Sequence, residues 1–228
     1  MMAGPSARAW FVTGTGTGVG KTTVAVALLE QAKQRGLKTA AMKPVETGCP
    51  LGPGGLSPAD GIRLKSAATT ERDLRIVSPF RYQKPAAPVV AARLEGPEVD
   101  IDRIRYCFEM IKAERPDFLL VEGAGGLLVP LTERHTMADL IVALGLPALV
   151  VARDGLGTIN HTALTVEAAL LRGIAVSGVI LNGARAGTSA DVVQSNAAEI
   201  ERLVDVPVLG VLGHGGQWTH PMQWDLLS

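Results

Sequence analysis

Lys21 stands at the end of a run in which glycine recurs at alternate positions, Gly14-Thr15-Gly16-Thr17-Gly18-Val19-Gly20, and Thr22 and Thr23 follow it. Glycines at this spacing let successive backbone N–H groups face one anion. A lysine beyond them reaches the terminal phosphates of a nucleotide, and the neighbouring hydroxyl can ligate Mg²⁺. Trp10, Phe11 and Val12 ahead of the run read as a buried strand, and the residues from Thr22 onward as a helix. A triphosphate would then rest on a helix N-terminus, where free amides and the dipole both favour negative charge. The plain alternative is a flexible Gly/Thr turn with no ligand, but Gly-Lys-Thr set directly between strand and helix argues against it. One departure stands out: the usual pattern has glycine where this chain has Thr15.

Ligands of open parallel sheets sit beyond the C-terminal ends of the strands, so polar residues at those ends are further candidates. Glu122 closes the apolar run Phe118-Leu119-Leu120-Val121 and precedes Gly123, Ala124, Gly125 and Gly126. A carboxylate there suits Mg²⁺, and the glycines would let backbone approach a phosphate or substrate; the bland reading is a solvated strand-end glutamate. Lys43 ends a second run, held extended by Pro44. By itself it reads equally well as surface charge. Asp60 follows a Pro/Gly-rich stretch, 47–60, which reads as a mobile surface loop; it could reach the metal or simply be a first-turn helix carboxylate. After a fourth run, Arg153-Asp154-Gly155-Leu156-Gly157 leads into Thr158, Ile159 and Asn160, a second anion cradle at a helix start. His161 reads as a helix-start residue rather than a catalyst.

These residues must be positioned by elements that alternate along the chain. Strands are expected over 9–13, 39–43, 118–122, 148–152, 176–182 and 208–211, and helices over 22–35, 100–114, 137–144, 162–172 and 190–203. The pattern is α/β: one domain over residues 1–228 with a mostly parallel sheet and helices on both faces. Lys+Arg and Asp+Glu are both 22, so no net field draws the chain to nucleic acid or an anionic membrane. No apolar run approaches a membrane span, and residues 1–9 are too short and polar for a signal peptide. Cys49 and Cys107 lack metal-type spacing and suit a reducing compartment. The cytoplasm is the expected location.

Four motifs in order, Gly14 to Thr22, Lys43-Pro44-Val45-Glu46-Thr47-Gly48, Val121 to Gly126 and Leu156 to His161, resemble those of dethiobiotin synthetase. The resemblance implies a homodimeric P-loop NTPase-fold ligase that uses ATP and Mg²⁺. It implies further that the enzyme joins CO₂ to 7,8-diaminononanoate and closes the ureido ring of dethiobiotin, in biotin synthesis. It implies Lys21 and the amides of Gly18, Val19, Gly20, Thr22 and Thr23 on the phosphates, with Thr22, Asp60 and Glu122 around Mg²⁺. Lys43 would hold the substrate carbamate and Thr47 would hydrogen-bond the diamine. Gly157, Thr158, Ile159 and Asn160 of the other subunit would take the substrate carboxylate. Asn182, followed by Gly183, matches the family's adenine contact, and Gly213, His214 and Gly215 fall at its last nucleotide-contacting segment. Family members often carry acidic residues at the positions of Gly16 and Gly18, and a proline near 213–215. A nucleotide-driven partitioning switch of the same fold would place a second lysine at Gly16, and a related amide-forming ligase would differ in substrate alone.

Overall fold

Phe11 points into one layer of helices while Trp10 and Val12 point into the other, so the first strand is dry on both faces. A strand buried on both sides reads as an unbroken apolar run instead of an alternation. The computed structural model describes residues 8–184 and 190–227. Residues 1–7 of the stretch read for a signal peptide, and 185–189 and 228 of the expected domain, lie outside the described residues.

In chain order the elements are β1 (Arg8–Gly14), α1 (Lys21–Gln34), β2 (Thr39–Met42), β3 (Val45–Thr47), β4 (Leu51–Gly52), β5 (Gly55–Leu56), α2 (Ala59–Ala67), α3 (Leu74–Val77), β6 (Phe80–Tyr82) and α4 (Pro88–Glu95). There follow α5 (Ile101–Lys112), β7 (Phe118–Glu122), α6 (Met137–Leu144), β8 (Ala148–Arg153), α7 (Thr158–Leu170), β9 (Val176–Ala184), α8 (Ala190–Val204), β10 (Val208–Gly213), β11 (Trp218–His220) and a closing 3₁₀ turn, Trp224–Leu227. The main sheet has seven strands in the order β11-β10-β9-β8-β1-β7-β2. All its pairs are parallel except β10 with β11. The expected α/β class is therefore what the structure shows.

Both faces are covered. Val24, Ala25, Leu28 and Leu29 of α1 pack with Leu64 of α2 on Val12, Leu120 and Val151. On the opposite face α5 and α6 bury Ile104, Phe108 and Ile141 against Phe11, Leu119 and Val121. Farther along that face Val166 of α7 and Ile200 of α8 cover Val150, Val179 and Val211. The tail beyond Gly216 packs on α1: Met222 and Leu227 are buried in its cluster, and Trp224 Nε1 donates to Gln31 Oε1 at 3.1 Å.

The sequence reading needs several corrections. The stretch 47–60, expected as a mobile surface loop, carries the β4–β5 hairpin and ends in the first two residues of α2, Ala59 and Asp60. Elements β3, β6, α3 and α4 form where short segments pair or pack with distant chain, which no local periodicity announces. The helix expected over 162–172 starts at Thr158, because Gly157 takes φ 90° and starts it without a side-chain cap. Strand β2 stops at Met42, since the Lys43 N–H turns away to the Val77 carbonyl at 2.7 Å.

Candidate active site

β1 lies between β7 and β8, and the chain leaves it through α1 toward the far edge strand β2. This reversal of strand order opens a crevice at the C-terminal ends, and the loop between β1 and α1 lines it. Thr15 donates its N–H to the Val151 carbonyl at 3.0 Å, and the next amide with a protein acceptor is Val24, on the Gly20 carbonyl at 3.0 Å. Among the described residues the amides of residues 16–23 have no acceptor in the protein. Positive φ at Gly18 (72°) and Gly20 (94°) curls this stretch into a nest of N–H groups. Thr15 has no left-handed backbone, so its conformation is one that a residue other than glycine adopts without strain.

A cavity of about 320 Å³ joins this nest to Lys43, Glu46, Thr47, Asp60, Arg63, Glu122, Ala124 and Gly125. Glu122 ends β7 and is 1% exposed; its Oε1 accepts from Lys43 Nζ at 2.5 Å and from Thr22 Oγ1 at 2.7 Å. Lys43 also reaches Asp60 Oδ2 at 3.1 Å. The solvated readings of Lys43 and Glu122 are thus excluded, and Asp60 is at once a first-turn helix carboxylate and a member of the cluster. Burial disfavours the Lys43 charge, but Glu122 and Asp60 outweigh it and the pKa is raised. The same ammonium, against the opposing effect of burial, holds Asp60 below its ordinary value. Lys21 has no such partner: its Nζ donates to the Gly16 carbonyl at 3.0 Å, and burial together with Lys43 brings its pKa down to about 8.

Glu122 Oε2 is buried with no hydrogen-bond partner. An orphaned carboxylate oxygen beside a threonine hydroxyl and a second acid is the donor set a hard cation takes. Among the described residues no group of three or more His, Cys, Asp or Glu gathers. Mg²⁺ keeps waters and phosphate oxygens and needs few protein ligands, so the Glu122 and Asp60 carboxylates with the Thr22 hydroxyl would fit it. Glu46, whose role the sequence reading missed, holds the start of α2: its carboxylate oxygens accept the Asp60 and Gly61 N–H groups, both at 2.9 Å. Its signal was its place three residues past Lys43 on a strand that the motif contained but periodicity did not reveal.

Other expected residues sit elsewhere. Gly123 does not line the cavity, although its carbonyl lies 3.5 Å from Lys43 Nζ; a Cβ there would lie 2.7 Å from Phe11 Cε1, so packing by itself requires glycine at this position. Gly157, Thr158, Ile159 and Asn160 form the start of α7 and do not line this chain's own cavity. Asn182 faces the back of the phosphate loop, donating Nδ2 to the Val19 carbonyl at 2.8 Å, with Gly183 beyond it. Gly213 ends β10 and, with His214 and Gly215, makes the turn into β11, the Gly213 N–H bonding Gln217 O at 2.8 Å.

Comparison with known proteins agrees with this geometry. A family profile described as an AAA domain matches residues 8–221. The chain is 52% identical over 197 residues to the ATP-dependent dethiobiotin synthetase BioD of Anaeromyxobacter dehalogenans, covering 86% of this chain and 85% of the relative. Proteins of the same name from Thermodesulfovibrio yellowstonii (43% over 210 residues, 89% and 87% covered) and Methanocaldococcus jannaschii (39% over 206, 89% and 92%) also match. Among solved structures, the MinD cell division protein of Aquifex aeolicus superposes with TM-score 0.56 at 16% identity, over 97% of this chain and 86% of that one. A ParA family ATPase from Chlorobium tepidum gives 0.51 at 16%, over 91% and 85%. At such identity these two show the fold alone, a P-loop NTPase fold. With a nest of free amides, a buried lysine–carboxylate cluster and relatives 39%, 43% and 52% identical over most of its length, the chain belongs to the ATP-dependent dethiobiotin synthetase family.

Proposed function

We propose that this chain forms dethiobiotin from 7,8-diaminononanoate, CO₂ and ATP with Mg²⁺. The observation that carries the reading is the pair of lysines in one cavity: Lys21 beside the amide nest and Lys43, 3% exposed, locked between Glu122 and Asp60. A triphosphate alone asks for Lys21. A second, buried ammonium facing it suits an anionic acceptor for the terminal phosphoryl group.

An amine adds to CO₂ only when neutral, and an alkylammonium has a pKa of about 10. Lys21 and Lys43 disfavour a further positive charge nearby and so favour loss of the substrate ammonium's proton to solvent; as the N–C bond forms and a C=O π bond of CO₂ opens, a second proton leaves to solvent and the two lysines stabilise the carbamate anion. Thr47, on the cavity wall, would hydrogen-bond the amine or its carbamate. The carbamate oxygen attacks the γ-phosphorus, the bond from that phosphorus to the β-phosphate oxygen breaks and ADP leaves, while the amides of Gly18, Val19, Gly20, Lys21, Thr22 and Thr23 and the Lys21 ammonium hold the charge on the phosphates. The second amine, also neutral, then attacks the carbamoyl carbon, the C–O bond to phosphate breaks, phosphate leaves, the amine's extra proton passes to solvent and the ring closes, with no covalent bond to the protein. Thr22, Asp60 and Glu122 would hold Mg²⁺, which supplies neutralisation of phosphate charge.

Nucleotide contacts extend in this reading to Ala124 and Gly125, and on the far side to Gly183, Gly213, His214 and Gly215 around the base. A second copy completes the substrate site with Gly157, Thr158, Ile159 and Asn160, which leave their own cavity unlined and present Asn160 to solvent. Residues 1–228 act as one domain in the cytoplasm, a setting in keeping with Cys49 and Cys107, both free. The test is ATP turnover with dethiobiotin read by mass spectrometry, with and without diaminononanoate and bicarbonate. Turnover that needs both and yields dethiobiotin is expected; hydrolysis indifferent to the diamine, without product, would overturn the reading.

A further inference from the structure

Two side chains outside the cavity grip the phosphate loop from behind. Arg153, the last residue of β8, donates Nη2 to the Gly18 carbonyl at 2.6 Å. Asn182, its register partner on β9, donates Nδ2 to the next carbonyl, that of Val19, at 2.8 Å. Only the amide nitrogen of Asn182 can serve a carbonyl, which decides its orientation. In a planar trans peptide the C=O and N–H point in opposite directions. Drawing the Gly18 and Val19 carbonyls outward therefore turns the Val19 and Gly20 amides inward, toward the anion.

The fit is close. A Cβ on Gly20 would lie 1.8 Å from Asn182 Nδ2, so only glycine leaves room for the clamp, and the left-handed φ of 94° there is glycine's own. The main chain at Asn182 is itself anchored: its backbone carbonyl accepts the Asp154 N–H at 2.9 Å, and the buried Asp154 carboxylate accepts Asn196 Nδ2 at 2.8 Å. Neither Arg153 nor Asn182 lines the cavity that holds Lys21 and Lys43.

We propose that Arg153 and Asn182 are a pair of positioning residues whose hydrogen bonds to the Gly18 and Val19 carbonyls pre-orient the amides that bind the triphosphate. The inference rests on reading the loop as a triphosphate site. It differs from a base contact for Asn182, because a clamp acts on phosphate even when no base is attached.

The experiment is calorimetry with Mg²⁺-tripolyphosphate and with Mg²⁺-ATP on the whole protein and on Arg153→Met, Arg153→Lys, Asn182→Ala and Asn182→Asp. Arg153→Met and both Asn182 variants should lose about tenfold in affinity, by the same factor for both ligands. Arg153→Lys should recover part of the loss. The loss at Arg153 should persist at high salt, since a hydrogen bond to a carbonyl is not screened as a distant charge is. In the ligand-free Arg153→Met protein the Val19 and Gly20 amide resonances should shift. Unchanged tripolyphosphate affinity in these variants overturns the clamp, as does a loss confined to ATP for Asn182 or abolished by salt for Arg153. Should an Asn182 variant fail to fold, Arg153→Met, at an exposed position, decides alone. Wild-type protein that binds no tripolyphosphate overturns the triphosphate site and the clamp with it.

Discussion

Thr22 Oγ1 donates to Glu122 Oε1 at 2.7 Å, tying the first turn of the helix behind the phosphate loop to the end of a strand 100 residues later. The same oxygen accepts Lys43, so one carboxylate oxygen is saturated while Oε2 is left bare and buried. A bare oxygen next to a hydroxyl that can turn its lone pair outward is a half-built cation site.

Glu122→Gln should raise the Mg²⁺ concentration needed for half-maximal turnover by on the order of tenfold or more, with Asp60→Asn giving a smaller change in the same direction. Diamine affinity should move less in both. Mg²⁺ titrations of initial rate check this, and an unchanged Mg²⁺ dependence in both variants would place the metal elsewhere.

Lys43→Ala should keep Mg²⁺-ATP binding near wild type yet lose dethiobiotin formation by about 100-fold or more, since a buried charge facing the reacting anion is removed. Lys43→Arg should not rescue it, because a forked guanidinium does not fit between Glu122 and Asp60 where a compact ammonium does. The assignment fails if Lys43→Ala turns over normally.

Triphosphate affinity should fall at alkaline pH. Free Lys21 has a pKa lowered to about 8 by burial and by Lys43. A bound polyanion raises that pKa, so the protonated lysine's contribution to binding is complete below about 8 and drains away as pH rises above it. Tripolyphosphate should bind about tenfold more weakly at pH of about 9 than at neutrality. A flat profile would show that Lys21 stays charged through that range.

Gly123→Ala tests a packing claim separate from the chemistry. Its new Cβ would meet Phe11 Cε1 at 2.7 Å and Met137 Cγ at 3.1 Å, both in side chains buried in the core. Overpacking of this kind costs roughly 1–3 kcal/mol, read as a lowered denaturant midpoint. Stability equal to wild type would mean that Phe11 has room to yield.

Mixing inactive Lys43→Ala protein with inactive Asn160→Asp protein should restore activity in exchanged dimers. If Asn160 serves the neighbour's site, one of the two sites in a heterodimer inherits both defects and the other neither. The new carboxylate at 160 disables its parent by repelling the substrate carboxylate. Verified subunit exchange without recovery would rule out a shared site.

The strand–glycine–lysine–helix order around Lys21 was legible in the sequence because every part of it is local: neighbouring residues make the nest and the helix that follows. The main strands were legible for a similar reason, since burial on both faces leaves uninterrupted apolar runs such as Phe118 to Val121. Lys43, Glu122 and Asp60 could be named as strand-end or helix-start polar residues, but Lys43 and Asp60 each had a bland reading at least as strong, and Glu122 a weaker one. Only the tertiary structure decided between them. Sheet order places β7 between β1 and β2, and α2, at the end of the stretch expected as a mobile surface loop, sets Asp60 beside Lys43. The use of Glu46 as a helix brace, of Gly123 as a packing residue and of Arg153 with Asn182 as a clamp was invisible for the same cause. Each depends on contacts between segments far apart in the chain, and local spacing carries no record of which distant backbone atom a side chain will meet.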